Sequence, residues 1–271
     1  VLSGYVLTFN YFDKIKNKID LINFLKKRFF RLYPLHLFFL LIFLILEFVK
    51  YYLNISFNFQ SNSMIFKENN LISFFSNLFL LNTFNNYLSF NLPSWAVSAE
   101  FISSIIFGIT LLLFRKNFLI FSIVIFLSFL FLFVIFGYKL FIYNGYFSLF
   151  SCILSYYLGS MLFFFNKNKY LIKINNFSLF QFLNLLSFFY FINNEIYSFL
   201  ILINVSSILL FLVNLDRNNL FFKLITNKFL LELGNMSYSI YLSHYLIYWI
   251  ITQIFRHIIR IEEIGSYTDN M

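Results

Sequence analysis

Apolar runs of roughly 20 residues recur along this chain, with the charged side chains displaced into the gaps between them. A backbone inside hydrocarbon finds no water to bond, so each run must close its own hydrogen bonds as a helix. Runs of sufficient length lie near 32–50, 95–114, 118–136, 146–165, 177–193, 197–213 and 233–255. The predicted fold is therefore all-α, a polytopic transmembrane helical bundle of about seven complete spans. The opening stretch from Val1 to Phe9 adds a partial N-terminal span, too short for roughly 30 Å of hydrocarbon. Residues 71–84 are apolar but are expected outside the membrane or at its surface. Composition agrees, because 11% charged residues is well below the roughly 25% of soluble domains.

A net charge of +9 admits a nucleic-acid partner or a membrane surface, and the placement of the charges decides between them. Lysine and arginine concentrate on cytoplasmic loops of membrane proteins. With 13–31 on the cytoplasmic side, alternation of the spans puts 115–117, 166–176 and 214–232 there too. Every Lys and Arg except Lys50, Lys67, Lys139, Arg256 and Arg260 falls in those four segments. The charge is membrane-flanking, lipids are the expected partners, and no nucleic acid is expected. The reading is an integral, multi-pass protein of the inner or cytoplasmic membrane. Cys152 is the single cysteine, which excludes an internal disulfide, and His36, His244 and His257 are too scattered for a metal site. No Gly-x-Ser-x-Gly elbow, His-Glu-x-x-His helix or phosphate-cradling glycine loop occurs. Pro34 and Pro93 each stand at the entrance to a span, where a missing N–H costs little, and both are predicted to mark helix starts.

Three clusters put polar residues where apolar surroundings make them costly. In Arg28-Phe-Phe-Arg-Leu-Tyr-Pro34, Arg28 and Arg31 stand three apart, beside Lys26 and Lys27, at the cytoplasmic mouth of the 32–50 span. A pair of guanidinium groups suits the phosphates of a coenzyme A thioester. An anchor on anionic lipid headgroups explains the same residues. His36, in the first turns of that span, can serve packing or chemistry. In Leu92-Pro-Ser-Trp-Ala-Val-Ser-Ala-Glu100 the carboxylate lies roughly 8–10 Å inside its helix. A charge at bilayer depth costs about 2.5–3.5 kcal/mol, so Glu100 should face the bundle and find a partner or a proton. Acid–base work and a structural ion pair both fit it. Trp95 fits an interfacial anchor, and Ser98 fits a bond to its own helix backbone. In the last span Ser237, Tyr241 and His244 share one stripe at i, i+4 and i+7, flanked by Tyr238 and Tyr245. Imidazole beside hydroxyls can act as base, acid or hydrogen-bond donor, and interhelical packing is the plainer alternative.

In order and spacing these clusters resemble the integral-membrane acyltransferase 3 family, whose members O-acylate carbohydrates of the cell envelope. Val1-Leu-Ser-Gly-Tyr-Val-Leu resembles the family's FFxLSGY stretch, and Arg28-Phe-Phe-Arg-Leu-Tyr-Pro its RxxRLYP. Pro93-Ser-Trp-Ala-Val-Ser-Ala-Glu resembles PSWSLSVE, and Leu233-Gly-Asn-Met-Ser-Tyr-Ser-Ile-Tyr-Leu-Ser-His resembles LGxxSYxxYLxH. Ala96 and Ala99 depart from the more common Ser and Val.

The resemblance implies transfer of an acyl group, expected to be acetyl, from an acyl-CoA co-substrate to a hydroxyl of a glycan acceptor such as lipopolysaccharide. No bound cofactor is implied. Arg28 and Arg31 would hold the donor, and Glu100 and His244 would shape or polarise the site. Trp95, Ser98, Ser237, Tyr238 and Tyr241 would line it. Family members also carry an arginine and a histidine in their first span, the histidine being the expected base. This chain opens after that span, so the expectation is one acyltransferase domain over 1–271 that lacks its first helix and is inactive alone. A transporter or flippase for a lipid-linked sugar is the alternative. It would use Glu100 and Arg31 as its pathway, and it calls for inverted repeats that the sequence does not display.

Overall fold

The computed structural model describes residues 1–57, 64–67, 69–84, 90–136, 145–167, 184, 186–188, 190, 198–215 and 220–255, and these form helices with no strand among them. In chain order the helices are α1 (Leu2–Tyr11), α2 (Lys18–Phe57), α3 (Leu71–Leu78), α4 (Ser94–Phe114), α5 (Phe118–Phe136), α6 (Tyr146–Lys167), α7 (Ser198–Asn214), α8 (Leu220–Ile225) and α9 (Lys228–Ile254). Single turns of 3-10 helix occur at Asn82–Phe84 and Arg115–Asn117. Three helical stretches, Lys18–Phe57, Ser94–Ile135 and Tyr146–Lys167, are long and apolar enough to cross a membrane. The second of these folds back on itself. The rings of Phe107 and Phe118 lie 5.6 Å apart, whereas a straight helix would separate the two residues by about 16 Å. The turn at Arg115–Asn117 thus divides it into α4 and α5, each of single-span length.

The apolar runs near 95–114, 118–136, 146–165, 197–213 and 233–255 become α4, α5, α6, α7 and α9 with ends displaced by a few residues. The run near 177–193 falls almost wholly outside the described residues. Segment 71–84 forms only α3 and the first 3-10 turn, and α3 spans about 12 Å, too short to cross.

The largest departure is α2. A helix start was expected at Pro34, yet Pro34 lies inside a 40-residue helix that begins at Lys18. Its start is fixed by a reciprocal cap. Asn17 Oδ1 accepts the Asp20 N–H at 2.9 Å, and Asp20 Oδ2 accepts the N–H groups of Lys16 and Asn17 at 3.0 and 3.2 Å. No Gly or Pro interrupts 18–33, so the cationic segment continues as helix into the apolar one. Two residues before Pro34, Tyr238 of α9 donates to the Leu32 carbonyl at 2.7 Å and ties α9 to this turn of α2. Pro93 does precede a helix, as expected, at the head of α4.

α1 and α6 pack backbone to backbone through small residues. A Cβ on Gly4 would fall 1.9 Å from the Tyr156 carbonyl oxygen, and one on Gly159 would fall 2.0 Å from the Val1 carbonyl oxygen. Thr8 donates to Ser160 at 2.9 Å on the same seam. Phe24, Phe107, Phe118, Ile153 and Tyr157 join α2, α4, α5 and α6 in the main core. The cationic ends meet at one pole of this bundle. Arg115 approaches Asp13 at 3.6 Å, and Arg115 and Lys167 both stand over the Phe12 ring. Charge alternation expected 13–31, 115–117 and 166–176 on one side, and Asp13, Arg115 and Lys167 do come together.

Candidate active site within the bundle

The buried positions of α2 are Phe24, Arg28, Leu32, His36, Phe39, Leu40, Phe43 and Glu47. Steps of three and four residues keep them on one stripe. Three are polar, and each meets a partner from outside its own turn of helix.

Arg28 is only 6% exposed, and its Nη2 donates to Glu100 Oε1 of α4 at 2.5 Å and to the Tyr156 hydroxyl of α6 at 3.1 Å. One nitrogen therefore joins three helices. Glu100 sits on the α4 stripe that includes Val97, Ser104, Phe107 and Leu111, which turns its carboxylate toward α2. Its side chain keeps 31% exposure, so the pair is buried on one side and open on the other. Ten residues of helix separate Lys18 from Arg28, eleven separate Tyr156 from Lys167 and fifteen separate Glu100 from Arg115. At 1.5 Å per residue the cluster stands about 15–22 Å from the cationic pole.

Depth corrects the expected placement of the arginines. Arg28 was expected at the mouth beside Arg31, as a pair of phosphate-binding forks. Three residues of helix set them about 60° apart, enough to bury Arg28 in the seam and leave Arg31 exposed with Lys26 and Lys27. Glu100 was expected to find a partner, and it has one.

A lid of polar contacts covers the N-terminal end of α4. Asn77 Oδ1 accepts from Ser94 at 2.9 Å and from Asn82 at 3.2 Å, and His36 Nε2 meets the Asn77 carbonyl at 2.8 Å. Ser98 was expected to bond its own helix, but it donates to the Leu80 carbonyl at 2.5 Å and pairs with Thr83 at 3.1 Å. α3 and the 3-10 turn bring those groups within reach, so Ser98 is tied across elements. Trp95 is half-buried on the first turn of α4.

The stripe expected on α9 does not reach this cluster. Ser237, Tyr241 and His244 are exposed, Ser237 donates to the Gly234 carbonyl at 2.7 Å, and His244 Nδ1 meets the Tyr241 carbonyl of its own helix. The face that packs on α2 is the neighbouring one, with Tyr238, Leu242, Tyr245 and Leu246. Tyr238 alone of the α9 candidates turns inward, where its hydroxyl donates to the Leu32 carbonyl at 2.7 Å. Packing rotates α9 by about one residue from the expected face, because Leu242 fills the space beside Leu32, Phe39 and Val97.

Glu47 and Tyr156 were not singled out from the sequence. Glu47 is 3% exposed, with Oε1 accepting the Phe66 N–H at 2.9 Å and Oε2 accepting from Lys50 at 3.0 Å and Asn69 at 3.1 Å. Its signal was readable, since an acid three residues before Lys50 continues the periodic stripe through Arg28 and His36. Tyr156 had no such signal among 19 tyrosines. No group of three or more His, Cys, Asp or Glu that could hold a metal occurs among the described residues, and Cys152 is a free, half-buried thiol.

A family profile described as an acyltransferase domain, that of the acyltransferase 3 family, matches residues 1–268. No curated protein and no solved structure matches the chain significantly.

Proposed function

Because the chain belongs to the acyltransferase 3 family, we propose that it carries an acyl group from an acyl-CoA thioester to a hydroxyl of a cell-envelope glycan at the Arg28–Glu100 pair. Membership assigns acyl transfer to a carbohydrate in general. The donor, the acetyl group and the envelope acceptor are this reading's own. The single observation that carries it is a charged pair held deep between α2, α4 and α6, with one carboxylate oxygen committed to the arginine and the carboxylate partly open.

An ionised pair in an apolar bundle costs several kcal/mol of desolvation per charge, and a hydrophobic pair of equal size would serve packing as well. Arg31, Lys26 and Lys27 form an exposed cationic row leading toward it, suited to the anionic carrier of the donor. Beside that row lies an apolar groove of about 260 Å³, lined by Leu25, Lys26, Phe29 and Phe101, with room for the acyl end. Trp95 stands five residues before Glu100 on α4, and Tyr238 of α9 reaches α2 at the Leu32 carbonyl. Exposed Ser237, Tyr241 and His244 can act only on a substrate that approaches from the outer face of α9. The protein works as an integral, multi-pass protein of the inner or cytoplasmic membrane.

The test is O-acetyl content of envelope glycans in cells expressing the complete coding sequence, with and without Glu100→Gln. Loss of O-acetyl in the variant, at equal protein level, is expected. Equal O-acetylation in both would overturn the reading.

A further inference from the structure

The guanidinium of Arg28 is only partly used. Its Nη2 has two hydrogens and two acceptors, Glu100 Oε1 and the Tyr156 hydroxyl, so that nitrogen is saturated. Its Nε–H is buried and has no hydrogen-bond partner among the described residues. A buried donor without an acceptor is costly, and in native proteins nearly all such groups are satisfied. Arg28 is more than nine-tenths buried, so bulk water does not satisfy it.

We infer that the Arg28 Nε–H is the donor that receives the acyl carbonyl oxygen of the substrate, and that Tyr156 is a positioning residue which holds the guanidinium in that orientation. The inference rests on the acyl-transfer reading above. Charge selects the ligand. The Arg28–Glu100 pair is neutral as a whole, and the nitrogen next to Nε is already spent, so no bidentate fork remains for a phosphate. A buried N–H in a low-dielectric seam fits a neutral acceptor that gains negative charge during reaction. A thioester carbonyl is such a group. As the acceptor hydroxyl oxygen bonds to the carbonyl carbon, the carbonyl oxygen takes the electron pair and is stabilised by Nε–H. Collapse then breaks the carbon–sulfur bond, and the hydroxyl proton ends on the departing thiolate. Tyr156 contributes from the other side. Its hydroxyl accepts from Nη2, and its α6 backbone is locked against Gly4 of α1, so the phenol has little freedom to move.

The test uses the protein expressed from its complete coding sequence and purified in detergent. The acceptor is the cells' own envelope glycan after removal of O-acetyl esters with mild base. Two donors are compared, acetyl-CoA and the acetyl thioester of N-acetylcysteamine, which has no phosphates. Arg28→Lys keeps a cation opposite Glu100 but has no Nε–H. Its kcat is expected to fall about 100- to 1000-fold with both donors, with KM little changed, the loss typical of an oxyanion donor. A raised KM for acetyl-CoA alone, with wild-type kcat on the phosphate-free donor, would make Arg28 a phosphate ligand and overturn the inference. Wild-type kcat with both donors would overturn it too. Tyr156→Phe keeps the ring, so it answers the question even where Arg28→Lys does not fold. It is expected to lower kcat by up to about tenfold at constant KM, and an unchanged kcat would contradict it. A wild-type protein that transfers acetyl from neither donor would instead refute acyl transfer itself.

Discussion

Helices α2 and α9 both carry polar side chains through apolar sequence, and they dispose of them differently. α2 turns Arg28, His36 and Glu47 inward, where Glu100, the Asn77 carbonyl, and the Phe66 N–H with the Asn69 amide meet them. α9 turns Ser237, Tyr241 and His244 outward, and Ser237 and His244 bond carbonyls of their own helix. For all but His36, which shares the inward stripe of Arg28 and Glu47, the difference follows from what each group can do alone. A hydroxyl or an imidazole nitrogen reaches a carbonyl three residues back, so it needs no second element. A guanidinium or a carboxylate cannot be satisfied that way and must recruit another helix or loop. Charged groups thus fix which faces pack, while small polar groups leave the choice to the apolar side chains around them.

That contrast can be broken by substitution, and the effects should descend in a definite order. Arg28→Ala leaves Glu100 without its partner and is expected to cost about 3 kcal/mol, at the low end for a broken buried pair because Glu100 keeps partial exposure. Thermal unfolding in detergent should show it as the largest drop in the series. Glu47→Ala strips an acceptor from the Phe66 N–H, Asn69 and Lys50, and about 1–3 kcal/mol is expected. Faster proteolysis at 64–70 is the more specific readout. Tyr238→Phe removes the one α9 hydroxyl that reaches α2 and should cost about 1 kcal/mol in the same unfolding assay. Ser237→Ala and His244→Ala should shift stability by no more than about 0.5 kcal/mol. A collapse of acyl transfer in His244→Ala with unchanged stability would show that substrate meets the outer face of α9, and the contrast would then concern packing alone.

The same physics explains what could be read before the fold was seen. Runs such as 118–136 are legible because length and apolarity suffice to specify a membrane-sized helix, and α5 spans those residues. Glu100 is legible because one carboxylate in such a run must have a reason. Its partner was not, since Arg28 lies 72 residues away and only the phase of α2 against α4 brings them together. The extent of α2 was missed because a cap at Asn17 and the lack of a breaker set it, while apolarity begins only near Leu32. On α9 two adjacent stripes, Ser237–Tyr241–His244 and Tyr238–Leu242–Tyr245, have similar periodicity. Only the complementarity of Leu242 to Leu32 and Val97 chooses between them. The Leu2-Ser-Gly-Tyr5 motif reads here as packing, with Gly4 pressed on the Tyr156 backbone and Tyr5 edge-on to Phe163.

The central claim is that Arg28 and Glu100 work as one acyl-transfer centre. The most direct measurement is kcat/KM for acetyl transfer by the protein from its complete coding sequence in four forms: wild type, Arg28→Lys, Glu100→Gln and the double variant. Residues that act as a unit are strongly non-additive, so the double variant is expected to be no slower than the slower single variant. Losses that multiply, so that the double variant falls by the product of the two single effects, would mean two independent roles and would contradict a shared centre.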